Sequence, residues 1–160
     1  LMMAEIFARL HANTDARLHP AAHGPLHAET IQRLKQLGVF HSVRLFGLTS
    51  QVPNILGMSD LLLLTSLQES FSLVALEAMA TGVPVLAPRI GGLPELVEDG
   101  LSGRLFEPGN IEDAVALGIE TLSDPTQWRI MARAALARAG AFRQADVVDS
   151  YERLYQEVLA

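Results

Sequence analysis

Cysteine is absent from the 160 residues, which excludes disulfides, thiolate metal sites and cysteine nucleophiles and is compatible with a reducing cytoplasm. No apolar run approaches the ~20 residues that a bilayer-spanning helix needs. The opening Leu1-Met2-Met3-Ala4-Glu5 has no basic stretch leading into a long apolar one. It therefore reads as a helix already under way, not as a secretory leader. Basic residues are in the minority, 12 against 18 acidic, for a formal charge of −6. That balance excludes a general nucleic-acid binder or an anionic-membrane binder, both of which need a basic face.

Several catalytic signatures are also missing. The chain has no Gly-x-Gly-x-x-Gly, no phosphate loop ending in Gly-Lys-Ser/Thr and no Gly-x-Ser-x-Gly elbow, so dehydrogenase, kinase and hydrolase readings have little support. His19, His23 and His27 recur every four residues, a spacing that binds metal on a helix. Pro20, Gly24 and Pro25 interrupt any helix there, and no metal site is expected.

What is present is a globular composition, 49% apolar and 19% charged. The length fits one domain covering 1–160. Helical and strand-like segments alternate. Helical periodicity covers 2–12, about 26–37, 52–58, 71–81, a short stretch from Pro94, about 110–122, 126–139 and 145–159. Strands are expected at Ala16–Ala22 (weakened by Pro20), Val43–Phe46, Asp60–Thr65, Val83–Ala87 and Arg104–Phe106. Leu61 to Leu64 are four consecutive leucines, the pattern of a parallel strand covered on both faces. The order predicts an α/β fold, an open parallel Rossmann-like sheet with helices on both faces. In the last helix Val147, Val148, Tyr151, Leu154, Tyr155 and Val158 form an apolar stripe, expected first to pack on its own domain, the alternative being that part of it meets another domain.

The segment richest in chemistry is Ser66-Leu67-Gln68-Glu69-Ser70-Phe71-Ser72-Leu73-Val74-Ala75-Leu76-Glu77, which leaves the leucine strand and enters a helix. In open α/β sheets the carboxyl ends of the strands form the ligand crevice. A helix start there offers free N–H groups and a positive dipole end to a phosphate or diphosphate. Glu69 lies just before the helix and Glu77 two turns in. A carboxylate accepts two hydrogen bonds from vicinal hydroxyls, so the pair suits a ligand built as sugar, diphosphate and ribose. A pair of solvated helix-end charges would look the same. Gly91-Gly92 is explained by a tight turn before Pro94.

The Glu-x7-Glu spacing inside "ESFSLVALEAMATGVPV", followed by "GGLPELVEDGLSGRLFEPGN", closely resembles the retaining glycosyltransferase family 4, of GT-B fold. "RLHPAAHGPLHAE", "VRLFG", "MSDLLLLTS" and "FRQADVVDSYERLYQEVL" extend the resemblance over most of the chain. Within the family, the leucine-to-glutamate stretch and "RIGGLPELVEDG" are most similar to the bacillithiol-pathway type, which transfers N-acetylglucosamine to L-malate.

The resemblance implies roles residue by residue. Glu69 faces the donor sugar as the catalytic group, and Ser70, Phe71, Ser72 and Leu73 offer backbone N–H groups to the sugar and diphosphate. Glu77 holds the ribose and Gly47 borders the base. No metal or other cofactor is implied, and the donor is UDP-linked. Transfer proceeds with retention through an oxocarbenium-like transition state. Glu69 then acts as an electrostatic and orienting group. A cytoplasmic location follows, free or at the inner face of a membrane.

Two departures stand out. The family begins this domain with a strand bearing Gly-Arg and a Lys that clamp the diphosphate; here the lone lysine is Lys35, and Arg89 is the nearest alternative. The acceptor domain is also not in the sequence. A catalytically silent module that kept the fold is the second reading. If the first strand is missing, the sheet has a gap. The Ala16–Ala22 segment would then pair with Asp60–Thr65, leave the sheet, or leave a slot that a strand-exchanged homo-oligomer fills.

Overall fold

A computed structural model describes residues 1–20 and 24–159, without the side chains of 144–147. Among the described residues eight α-helices and three strands follow in chain order: α1 (Met2–Thr14), α2 (His27–Gln36), α3 (Val52–Gly57), β1 (Leu62–Leu63), α4 (Leu73–Ala80), β2 (Val85–Pro88), α5 (Leu93–Leu96), β3 (Gly103–Phe106), α6 (Ile111–Ser123), α7 (Pro125–Ala139) and α8 (Gln144–Leu159). The strands form an open parallel sheet in the order β1-β2-β3. The expected α/β architecture with helices on both faces is present.

Alternation along β2 shows how the layers form. Val85 and Ala87 face a core built with Ala75, Ala78 and Met79 of α4 and Ala135 of α7. Leu86 faces the other core, with Ile6 and Leu10 of α1, Phe106 of β3, and Ala114 and Val115 of α6. β2 is buried throughout, as the middle strand of a two-sided sandwich must be.

The outer segments depart from expectation. The 16–22 strand reduces to one parallel bridge, Leu18 to Val43, lying outside the three-stranded sheet. Bonds from the Leu18 N–H to Ser42 O, the Arg44 N–H to Leu18 O and the Phe46 N–H to Pro20 O hold the two segments together. Ala21 and Ala22 lie outside the described residues. The described residues of the segment do not pair with Asp60–Thr65. The 60–65 strand has regular pairing only at Leu62–Leu63, and all four leucines are half-buried, not buried. A leucine run is fully covered only when strands flank it on both sides, and β1 has one neighbour.

The C-terminal stripe is a second correction. Val148, Tyr151, Leu154, Tyr155 and Val158 of α8 are all exposed, so they do not pack on this domain. The side chain of Val147 lies outside the described residues, as does His23 of the histidine series.

Candidate donor site

Parallel strands place all their carboxyl ends along one side of the sheet, where the loops β1–α4, β2–α5 and β3–α6 emerge together. The β1–α4 loop carries the predicted constellation. Helix α4 begins at Leu73, two residues later than the periodicity predicts. Ser72 is extended there (φ −87°, ψ 99°) and serves as N-cap. The first intrahelical bond runs from the Leu76 N–H to Ser72 O. The N–H groups of Leu73, Val74 and Ala75 therefore lack partners among the described residues. Neither a capping side chain nor a first-turn acid offsets them. Ser72 is 3% exposed and its hydroxyl is buried without a hydrogen bond.

The loop before this helix is fixed by residues far along the chain. The Gly92 N–H donates to Ser70 O at 2.9 Å. A Cβ at Gly91 would lie 1.5 Å from Glu69 O, and one at Gly92 would lie 2.3 Å from Ser70 O. Gly91 also has a left-handed φ of 51°. The tight-turn explanation is thus incomplete: these two glycines let β2–α5 press backbone to backbone against Glu69 and Ser70. From the sequence the pair reads only as a turn, because this contact joins residues distant along the chain. Phe71 is held from another side by the ring of Phe142, 5.9 Å away centroid to centroid.

Around this frame the predicted residues divide. Glu69 is half-buried at the loop, Ser70 and Phe71 are exposed beside it, and Leu73 is 67% exposed on the first turn of α4. Glu77 is exposed one turn beyond Leu73, on the same face of α4. Apolar sequence neighbours do not bury it, because they occupy the opposite face. Among the described residues neither carboxylate is taken up by an ion pair or hydrogen bond. Gly47 ends the Leu18-paired segment with φ 63°, and a Cβ there would meet nothing within 4 Å. Among the described residues no backbone hydrogen bond ties it to the α4 loop.

Neither candidate cation reaches this loop. Arg89 bonds Asp99 at 2.5 Å and lies 3.7 Å from Glu107, against the far strand β3. Lys35 sits over the Phe40 ring, 5.1 Å from its centroid.

Residues 1–124 match the family described as "Glycosyl transferases group 1". The chain belongs to that family. It is 37% identical over 158 residues to an N-acetyl-alpha-D-glucosaminyl L-malate synthase of Bacillus anthracis, covering 98% of this chain and 42% of that protein. It is 34% identical over 144 residues to a D-inositol 3-phosphate glycosyltransferase of Mycolicibacterium smegmatis, covering 88% of this chain and 33% of that one. The chain thus spans less than half the length of these relatives.

Among solved structures, Anabaena HepE in complex with UDP superposes with a TM-score of 0.87 at 25% identity, over 97% of this chain and 44% of that one. A C-terminal domain of a Francisella tularensis group 1 glycosyl transferase shares the fold, with a TM-score of 0.74 at 23% identity, over 86% of this chain and 77% of that one. Among the described residues no helix is long and apolar enough to cross a membrane.

Proposed function

We propose that residues 1–160 form the donor-binding domain of a retaining glycosyltransferase. In this reading a nucleotide-diphosphate sugar, UDP-linked, places its diphosphate on the N-terminus of α4. The observation that carries the reading is the unsatisfied helix start: three N–H groups without partners, flanked by two uncommitted carboxylates, on the ligand side of a parallel sheet. Glu69, half-buried, faces the sugar and stabilises positive charge as the anomeric carbon loses its leaving group. Ser70, Phe71, Ser72 and Leu73 present backbone N–H groups to the sugar and diphosphate. Glu77, further along the exposed face of α4, accepts the ribose hydroxyls, and Gly47 borders the base. The dipole and N–H groups of α4 hold the diphosphate in this reading, which calls for no metal or cofactor. Complexes of HepE with UDP and with UDP and glucose support the donor class. The acceptor half, and with it the transfer reaction, belongs to additional chain such as the longer relatives carry.

A silent binding module is the second reading, and the placement of Arg89 and Lys35 favours it for these residues alone. A diphosphate bound without a cation relies on the helix start, so affinity should be modest. Calorimetry of UDP against the wild-type chain and Glu77→Ala tests the ribose role. Loss of hydrogen bonds to ribose should cost about 1–3 kcal/mol, and equal affinity would contradict the assignment. Chemical-shift changes at Leu73, Val74 and Ala75 test the diphosphate position, and UDP shifts confined to another helix start would overturn it. In a chain carrying an acceptor domain, Glu69→Ala should keep UDP binding and lose transfer.

A further inference from the structure

Arg138 lies in the last turn of α7, and its side chain reaches the end of a different helix. Its Nε–H donates to Leu96 O at 3.2 Å, and an Nη2–H donates to Glu95 O. These are the final carbonyls of α5, which a helix end leaves without intrahelical partners. Nη1 stands 3.4 Å from the Glu98 carboxylate, just beyond that helix. All three guanidinium nitrogens are therefore committed to α5 and its exit.

From α5 the connection continues to the donor loop. Glu95 and Leu96 donate their own N–H groups to Gly92 O at 3.1 and 3.2 Å, and the Gly92 N–H donates to Ser70 O at 2.9 Å. Three hydrogen-bonded links thus join the guanidinium to the backbone of the β1–α4 loop. The path has little slack. Leu93 and Leu96 are fully buried, and a Cβ at Gly91 or Gly92 would overlap Glu69 O or Ser70 O.

A second path leaves the face of the same side chain. The Arg138 guanidinium carbon lies over the Phe142 ring, 4.9 Å from its centroid. The turn that closes α7 fixes Phe142 there, with the Ala141 N–H donating to Arg138 O and the Phe142 N–H to Ala139 O, both at 3.0 Å. The Phe142 ring packs against the core and meets Phe71 beside Ser70. One planar cation thus supports the loop twice, through Ser70 by its edge and through Phe71 by its face. Lysine carries the charge but neither the fork of donors nor the flat face.

We propose, on the donor reading of this loop, that Arg138 is a positioning residue for it. Acting through α5 and Phe142, it fixes Glu69, Ser70 and Phe71 relative to the start of α4. With its nitrogens taken up by α5 and Glu98, Arg138 leaves the anion to the α4 N–H groups and sets where those groups stand. A merely structural arginine would change stability and leave the folded site as it is. A positioning arginine changes the site of chains that are still folded.

Three variants separate these roles, each studied where urea titration shows the chain folded. Arg138→Lys keeps the charge and loses the fork and the face. Phe142→Leu keeps apolar bulk and loses the ring. Val115→Ala is the control, because it weakens the core on the opposite side of the sheet. Arg138→Lys should lower UDP affinity on the order of tenfold. It should also speed amide exchange at Gly92 by ~10-fold relative to amides in the middle of α6. Phe142→Leu should shift the Phe71 ring signals and weaken UDP by a smaller factor, and Val115→Ala should do neither. Wild-type UDP affinity in Arg138→Lys, or a Gly92 amide as slow as in wild type, would overturn the proposal. So would an equal loss of affinity in Val115→Ala, which would trace the effect to stability. If the unaltered chain binds no UDP, the donor reading fails by itself. The Gly92 amide then still decides the positioning role, which falls if Arg138→Lys leaves that amide slow and stands if it speeds it.

Discussion

Helices α4 and α6 both follow a strand of the same parallel sheet, yet their N-termini are finished in opposite ways. At α6, Asn110 accepts the Asp113 N–H, Glu112 and Asp113 supply negative charge in the first turn, and Asp113 also takes the Glu107 N–H. Arg9 hydrogen-bonds Glu112 and holds its carboxyl below the ordinary carboxylate range. Nothing at that helix start waits for a ligand. At α4 the cap makes no side-chain bond, the first turn carries no acid and the cap hydroxyl is buried unpaired. An isolated domain gains stability by capping its helices, so a helix start left bare beside uncommitted carboxylates fits a site kept open for an anion. The contrast yields predictions in descending order of effect.

The largest effect is expected in the loop that presents α4. Gly91→Ala puts a methyl group within bonding distance of Glu69 O and forces a left-handed residue. The loops must separate, and unfolding free energy should fall by ~3 kcal/mol or more, with UDP binding lost. The matching glycine before α6 is Gly109, left-handed at φ 81° but in open space. Gly109→Ala should cost only about 1 kcal/mol and leave UDP affinity intact. Urea titrations of both variants check the pair, and equal losses would remove the special role given to the Gly91–Glu69 contact.

A smaller effect should follow from making α4 resemble α6. Leu73 is exposed on the first turn, and Leu73→Asp supplies the missing acid. The free domain should gain about 0.3–1 kcal/mol from the helix dipole. UDP should bind on the order of tenfold more weakly, because a carboxylate now occupies the anion's place, and the penalty should shrink with added salt. Thermal melts and calorimetry at two salt concentrations measure both signs. A variant that is more stable and still binds UDP equally well would move the diphosphate away from α4.

These contrasts also show which features a sequence exposes. Asn110 and Asp124 cap α6 and α7 from within three residues of the groups they satisfy, and Pro94, Gly82 and the leucine run mark local boundaries. Such information lies along the chain, so the order of elements and the α4 loop were legible. Burial of Leu61–Leu64 depends on a neighbouring strand, and Glu77's exposure depends on which face of α4 meets Ala135 of α7 and the sheet. The Gly91–Glu69 contact joins two loops through space. The exposed stripe on α8 has the same spacing whether it meets its own domain or another. Pattern alone does not distinguish those partners.

The smallest effect separates a cap residue from a capping bond. A serine at the N-cap ordinarily accepts a hydrogen bond from the first turn, and alanine there costs about 1 kcal/mol. Asn110→Ala should show that loss in full, because its side chain accepts the Asp113 N–H at 3.1 Å, and it should not alter UDP binding. Ser72 occupies the same position on α4, but its hydroxyl bonds to nothing and is sealed from solvent. Ser72→Ala removes a buried unpaired polar atom without removing a bond, and that relief offsets the lost oxygen's packing. The stability of Ser72→Ala should lie within ~0.5 kcal/mol of wild type, with either sign allowed. Paired urea titrations of the two alanine variants resolve the difference. A loss of about 1 kcal/mol at Ser72 would mean that its hydroxyl caps α4 in solution, leaving one fewer N–H for an anion and weakening the contrast with α6.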